Sequence, residues 1–247
     1  MRKIYSAAFA CARQFWPVYL VFAAMLEVAD WFSTGSSSLG VEFFAYTIFA
    51  YLLHRHFLFG DPVAAFGKVA SARPSSQGRF ILISLPMMLV PMGIATLLLI
   101  GPLQSAMTSD KGDLAARLLI LFLPVYLLML SVFGTMLPAA ASAEPFGLGL
   151  TLRRARRSFW PIFGGLLIGP GLFGIASVLA MTALSSWLGI AVDARDAAGQ
   201  FSPVGAVLAV GMRLIALTNT TLAVVVLCGA YRRVAPPPVP ADATRMA

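Results

Sequence analysis

Residues 160–184 read WPIFGGLLIGPGLFGIASVLAMTAL, a run of 25 residues without a charged side chain. The hydrocarbon core of a bilayer is about 30 Å thick, and about 20 apolar residues in an α-helix cross it. The residues just before this run include Arg153, Arg154, Arg156 and Arg157. A basic segment that leads into a Trp-Pro helix start is typical of the cytoplasmic end of a transmembrane helix. The stretch therefore predicts a membrane-spanning helix that is entered from the cytoplasm.

The whole chain has the composition of a membrane protein. Of its 247 residues, 59% are hydrophobic and only 11% are charged, whereas soluble domains carry about 25% charged residues. The fold class that we predict is all-α: a polytopic bundle of six transmembrane helices in three hairpins, with basic amphipathic cytoplasmic connectors. The predicted helices are residues 17–33, 41–59, 80–103, 114–137, 160–184 and 203–230. This transmembrane domain takes residues 1–234, and residues 235–247 form a Pro-rich disordered cytoplasmic tail.

Basic residues alternate between the two sides of this bundle. Of the 18 Lys and Arg residues, 14 fall in the N-terminal segment, the connectors between helices 2 and 3 and between helices 4 and 5, and the C-terminal tail. Because cytoplasmic loops are enriched in Lys and Arg, we predict a multi-pass protein of a bacterial inner membrane with both termini in the cytoplasm. The main alternative is a shallow or re-entrant first helix, since residues 17–33 carry two acids.

One basic lead-in occurs twice. Residues 12–19, ARQFWPVY, are similar to residues 156–163, RRSFWPIF. Together with the six-helix layout, residues 148–169, LGLTLRRARRSFWPIFGGLLIG, resemble bacterial six-helix membrane families, including the membrane domains associated with glycerophosphodiester phosphodiesterases. The resemblance implies a helical membrane domain. It implies no catalytic residue, because the phosphodiesterase part has no counterpart in this sequence.

Charged residues inside the predicted helices are candidate functional residues, since each costs roughly 2.5–3.5 kcal/mol at a helix centre. Glu27 and Asp30 are three residues apart and share one face of the first helix. Arg213 and Thr220 share a face of the sixth helix. We predict an intramembrane polar cluster of these four residues, in which Arg213 pairs with Glu27 or Asp30. The cluster is either a solute or proton site or a buried ion pair that fixes helix register.

Two other groups of residues predict contacts. Four arginines lie beside apolar residues and predict contact with anionic lipid, the alternative being that they only set topology. They are Arg153, Arg154, Arg156 and Arg157, and the apolar neighbours are Leu148, Leu150, Leu152 and Phe159. Gly165 and Gly169 form a GxxxG pattern. Such glycines allow close helix packing, either within one chain or between chains.

No common catalytic or nucleotide-binding motif occurs in the sequence. His54 and His56 face different ways on a helix, so no metal site is predicted, and we expect neither a cofactor nor a nucleic-acid partner. The favoured interpretation is a non-enzymatic accessory, assembly or scaffold subunit that contacts membrane lipids and that pairs with another protein or with its own copies. The alternative is a small-solute or lipid transporter that uses the polar cluster between helices 1 and 6. A third class, an intramembrane enzyme, would have to use Glu27, Asp30 and Glu42.

Overall fold

A computed structural model describes residues 2–32, 37–63, 74–103, 111–144, 147–195 and 200–235. Within these ranges the fold is helical, and the one strand-like feature is an isolated antiparallel bridge between Arg195 and Phe201. The helices are α1 (Arg2–Gln14), α2 (Trp16–Phe32), α3 (Ser37–Phe59), α4 (Pro74–Leu103), α5 (Lys111–Phe133), α6 (Met136–Ala141), α7 (Leu148–Leu166), α8 (Leu172–Leu188) and α9 (Pro203–Val234).

Three helical elements in this part of the chain are long and apolar enough to cross a membrane: Ser76–Leu98, Leu148–Leu188 and Pro203–Val234. The pair α1 and α2 adds a fourth if it is taken as one span, although the two helices are bent by 79°. Leu82, Leu97 and Val207 are 70%, 70% and 71% exposed. Outward apolar faces of this kind suit lipid, since soluble monomers rarely expose large apolar patches. The fold is therefore all-helical and of the multi-pass membrane type, and the count of six spans in three hairpins stays a prediction.

The six predicted segments fall largely on helices, but several of their boundaries were wrong. α7 begins at Leu148, not at residue 160. The arginine-rich stretch is itself an amphipathic helix, and it extends the apolar helix at its N-terminal end. The basic N-terminal segment forms a separate helix, α1. α5 ends at Phe133 because Gly134 and Thr135 form a turn before α6. The predicted tail, residues 235–247, lies outside the described residues except for its first residue.

The chain divides into two compact units, and the first consists of Met1–Arg73 and Gly164–Val226. In this unit α2 and α3 run antiparallel. The ring of Phe15 lies 5.0 Å from that of His56 near one end, and Tyr19 packs edge-on against Phe49 at 5.0 Å further along. The buried hydroxyl of Tyr19 also hydrogen-bonds that of Thr221 at 2.5 Å, which holds α9 against the pair.

Three glycines between residues 165 and 174 let the long helical element Leu148–Leu188 pack closely against α9 within this unit. A Cβ atom at Gly165 would lie 2.8 Å from Cγ1 of Val226, and one at Gly169 would lie 3.8 Å from Cγ2 of the same residue. At Gly174 a Cβ would lie 3.3 Å from Nδ2 of Asn219. The two glycines of the GxxxG pattern thus face another helix of the same chain.

A turn of π-helix, Leu167–Gly171, joins α7 to α8 around Pro170. Here the helix widens for one turn and then continues as α8. Proline cannot donate its backbone hydrogen bond, and a wider turn is one way to absorb the loss. The hydroxyl of Tyr5 donates to the carbonyl oxygen of Ile168 at 2.6 Å, which ties α1 to this turn.

The second unit consists of Pro74–Phe163 and Leu227–Ala247. In it α4 packs against both α5 and α6. The short helix α6 is buried from Leu137 to its end at Ala141. Gly134, in the turn before α6, has no room for a side chain, because a Cβ atom would overlap the Leu130 carbonyl and the side chain of Leu227.

Candidate functional site

Arg213 of α9 lies at the centre of a polar cluster in the first unit. Its Nη2 is 2.8 Å from Oε1 of Glu42 and 3.4 Å from Oδ2 of Asp30, and its Nε is 3.6 Å from Oε2 of Glu27. The hydroxyl of Tyr46 interacts with the same guanidinium group. Five residues from three helices, α2, α3 and α9, therefore meet at one arginine, and the shortest of the three ion pairs is the one with Glu42.

Three of the four residues predicted for this cluster come together, and Thr220 does not join them. Its hydroxyl donates to the carbonyl of Ala216 at 3.0 Å. It lies two helical turns, about 10 Å, further along α9 than Arg213. Sequence analysis missed Tyr46 and treated Glu42 only as a candidate acid. The spacing of these two residues, four apart on one helix, was the available signal that they share a face.

The cluster is unbalanced in charge and open on one side. One guanidinium faces three carboxyl groups, so the acids outnumber the base. The side chain of Asp30 is 46% exposed, while those of Glu27 and Arg213 are 14% and 19% exposed. Asp30 directly precedes Trp31 and lies two residues before the end of α2. The cluster therefore reaches from the interior of the unit towards the end of α2.

Arg195 covers Trp31 at this same end of the unit. Its guanidinium lies 4.6 Å from the centre of the indole ring, and its Nη2 donates to the Trp31 carbonyl at 2.5 Å. Phe201 also packs edge-on against the tryptophan at 5.7 Å. The loop that joins α8 to α9 is thus fastened to the end of α2, beside the exposed edge of the polar cluster.

A basic surface lies on α7 in the second unit. Arg153, Arg156, Arg157 and Trp160 are exposed. At 100° per residue they fall within an arc of about 100° on the helix. The opposite face, which includes Ala155, Ser158 and Ile162, is buried. Three of the four predicted lipid-contacting arginines therefore share one outward face.

Arg154, the fourth, turns inward. It is 8% exposed, and its Nη2 lies 3.5 Å from Oε2 of Glu144. Its guanidinium also lies 5.1 Å from the centre of the Tyr231 ring, and the Tyr231 hydroxyl donates to Glu144. The prediction of lipid contact thus does not fit Arg154, which joins α7 to the end of α9. Sequence analysis missed this cluster, for which the one acid in the connector, Glu144, was the available signal.

The two histidines lie at the end of α3. Nδ1 of His54 bonds the Ala50 carbonyl at 2.8 Å, and Nδ1 of His56 bonds the Asp61 carbonyl at 2.9 Å. Among the described residues, no group of three or more His, Cys, Asp or Glu side chains is placed to hold a metal ion. Arg55 between them pairs with Asp61 at 2.5 Å and covers the ring of Phe59, so this end of α3 is held by local contacts.

The fold defines the class of protein: it is all-helical, with three to four helices that are long and apolar enough to span a membrane. No protein-family model, curated protein or solved structure matches the chain. Its function must therefore be argued from its own residues.

Proposed function

We propose that this protein is a non-enzymatic integral membrane protein, an accessory, assembly or scaffold subunit that contacts anionic lipids at its cytoplasmic face through α7. In this proposal it has six transmembrane helices in a bacterial inner membrane, with both termini in the cytoplasm. The resemblance to six-helix membrane domains of the glycerophosphodiester phosphodiesterase type belongs to the same proposal.

The outward face of α7 carries the proposal. Arg153, Arg156 and Arg157 are exposed while Arg154 is tied to Glu144, so the helix has one defined basic side. Trp160, which is 74% exposed, follows one turn later on that side. Arginines next to a tryptophan are typical of the membrane–water interface. Each basic residue near an anionic leaflet contributes about 1 kcal/mol of attraction, so three give a substantial preference for anionic lipid.

A structural role also agrees with the contacts in the first unit. Arg213 joins α2, α3 and α9 through three carboxyl groups, and glycines bring the α7–α8 element against α9. Buried ion pairs that span several helices fix how the helices pack. These contacts favour a well-packed scaffold, which is what a subunit that presents a surface to lipids or to a partner requires.

Native mass spectrometry of the full chain, released gently from its own membrane, tests this proposal. We expect retained anionic lipid, with or without a stoichiometric protein partner, and less lipid on the variant R153Q/R156Q/R157Q. The matched control is R2Q/K3Q/R13Q, which removes three exposed charges from α1 and should keep the lipid. Retention of zwitterionic lipid alone, or equal loss in both variants, would reject the role of α7.

A second candidate function, transport of a small solute or lipid, is favoured by one observation. Three carboxyl groups face one guanidinium, and Asp30 at the edge of that cluster is 46% exposed. Charged groups inside a membrane that reach water are common on ion and solute pathways. The Glu27–Asp30–Arg213 region would then be the site of the solute.

Water access separates the two candidates. Cysteine at Ala24 or Ala216 would lie about one turn from Glu27 or Arg213 on the same helix. In a transporter both positions should react with small water-soluble thiol reagents. In a scaffold they should stay unreactive, while a cysteine at the exposed residue Asp193 reacts in either case and serves as the control.

A further inference from the structure

We propose that the basic surface of α7 is a site for one lipid headgroup that carries more than one negative charge, such as a phosphomonoester or a bisphosphate. This inference rests on the proposed function and adds a ligand class to it. A merely basic surface would respond to the total charge of the membrane, whereas a site would distinguish headgroups of different valence at equal total charge.

The spacing of the arginines gives the first argument. Arg156 and Arg157 stand three and four residues after Arg153, and residues so spaced are neighbours on a helix surface, about 5–6 Å apart at their Cβ atoms. Three guanidinium groups can therefore converge on a single headgroup. Guanidinium groups bind phosphate through paired hydrogen bonds, so each added phosphate oxygen can engage another arginine.

The charges around these arginines give the second argument. α7 contains no acidic residue, and Glu144 is engaged by Arg154 and Tyr231. The contact between Arg154 and Tyr231 also brings the last turn of α9 beside α7. That turn carries Arg233, which is exposed. Together with Arg153, Arg156 and Arg157 this makes four exposed arginines on α7 and the last turn of α9, more positive charge than one monovalent headgroup neutralises.

The aromatic and apolar neighbours point to a lipid rather than a soluble anion. Trp160 lies on the same outward face, three and four residues beyond Arg157 and Arg156. Leu150 and Leu152, at the edges of that face, are exposed as well. Tryptophan and leucine beside arginine place acyl chains next to the phosphate group, as at a membrane interface.

The test is a lipid titration of the full-length protein in a neutral detergent, read by native mass spectrometry. The probes are cardiolipin, phosphatidate, phosphatidylglycerol and phosphatidylcholine, compared at equal total negative charge where they are charged. We expect cardiolipin and phosphatidate to bind about fivefold more tightly than phosphatidylglycerol, roughly the gain from one further basic contact. The variant R153Q/R156Q/R157Q should reduce that ratio to about one, and the control R2Q/K3Q/R13Q should leave it unchanged.

Each other outcome has a distinct meaning. Equal binding of all anionic lipids overturns the site but leaves the proposed function standing, whereas no preference for any anionic lipid over phosphatidylcholine overturns both. Loss of the ratio in the α1 control overturns the assignment to α7. Soluble pyrophosphate is added in a further arm, and if it competes at the same charge concentration as the lipids, the lipid part of the inference is wrong. Unchanged thermal unfolding of both variants verifies that they are folded.

Discussion

Arg213 is the one cation that three acids of the polar cluster in the first unit share. Replacement by glutamine would leave Glu27, Asp30 and Glu42 without their counter-charge in a partly buried place. We expect R213Q to lower the free energy of unfolding by about 2–4 kcal/mol. The triple variant R213Q/E27Q/D30N should lose less than R213Q alone, because it removes two of the three acids together with the base.

Thermal and denaturant unfolding of the purified protein in detergent measures both variants. The comparison is a mutant cycle, so the interaction is the part of the stability change that is not additive. If the losses of the single and combined variants simply add, the guanidinium does not pair with these carboxyl groups. E42Q, which removes the nearest acid, is a useful further corner of the cycle.

Gly165 offers a test of helix packing at the scale of one methyl group. A Cβ atom there would lie 2.8 Å from the Cγ1 of Val226, whereas at Gly164 nothing lies within 4 Å. We therefore expect G165A to destabilise the protein by about 1–3 kcal/mol, the usual cost of overpacking. G164A should be neutral or slightly stabilising, since alanine favours helix more than glycine does.

The same unfolding measurement decides this prediction, with V226A as the second mutation. In the V226A background the added methyl group has room, so G165A should cost less there. Equal destabilisation by G164A and G165A would mean that the glycines act through helix propensity and not through contact with α9.

On α7, the inward arginine Arg154 helps to set which face of the helix is buried, through its ion pair with Glu144. We expect R154Q to lower the free energy of unfolding by about 1–3 kcal/mol, because the half-buried Glu144 loses its cation. R157Q, on the exposed face, should change stability by less than about 0.5 kcal/mol. The double variant R154Q/E144Q should recover part of the loss, and failure to recover any would show that Arg154 acts through the Tyr231 ring alone.

The elements also show how far sequence reasoning reaches. All six apolar segments were predicted as helices, and the pairing of Arg213 with acids of α2 was predicted from helical spacing. The two copies of the Phe-Trp-Pro motif, by contrast, adopt different local structures, which the sequence did not predict. At Phe15–Trp16 the chain bends by 79° between α1 and α2, whereas at Phe159–Trp160 the helix α7 continues without a break.

Both prolines of that motif lack the same backbone donor, but the two sites differ in their tertiary contacts. Tyr5 of α1 bonds the Ile168 carbonyl, whereas Arg154 of α7 contacts Glu144 and Tyr231. Such partners are far apart in sequence and carry no local pattern. The spacing of Glu42 and Tyr46 and the lone acid Glu144 were visible in the sequence. Neither signal identifies the distant partner, so Tyr46 in the polar cluster and the inward turn of Arg154 were not predicted.

At the scale of the whole molecule, the account requires that the protein cross a membrane with its basic ends on one side. The first unit has two distinct ends. Arg2, Lys3 and Arg13 lie on α1 near the start of α2, whereas Trp31, Arg195 and Phe201 meet at the end of α2. In the proposed topology, the α1 end faces the cytoplasm, because cytoplasmic segments are enriched in Lys and Arg.

Thiol labelling of spheroplasts tests most directly that the two ends of the first unit lie on opposite sides of the membrane. Cys11 and Cys228 are buried, and they are replaced by alanine to remove any background. Single cysteines are then placed at Ser6 and at Ala191, both small and exposed. With a membrane-impermeant maleimide, the account predicts that position 191 is labelled in intact spheroplasts and that position 6 is labelled only after permeabilisation. Labelling of both positions from the same side would contradict it.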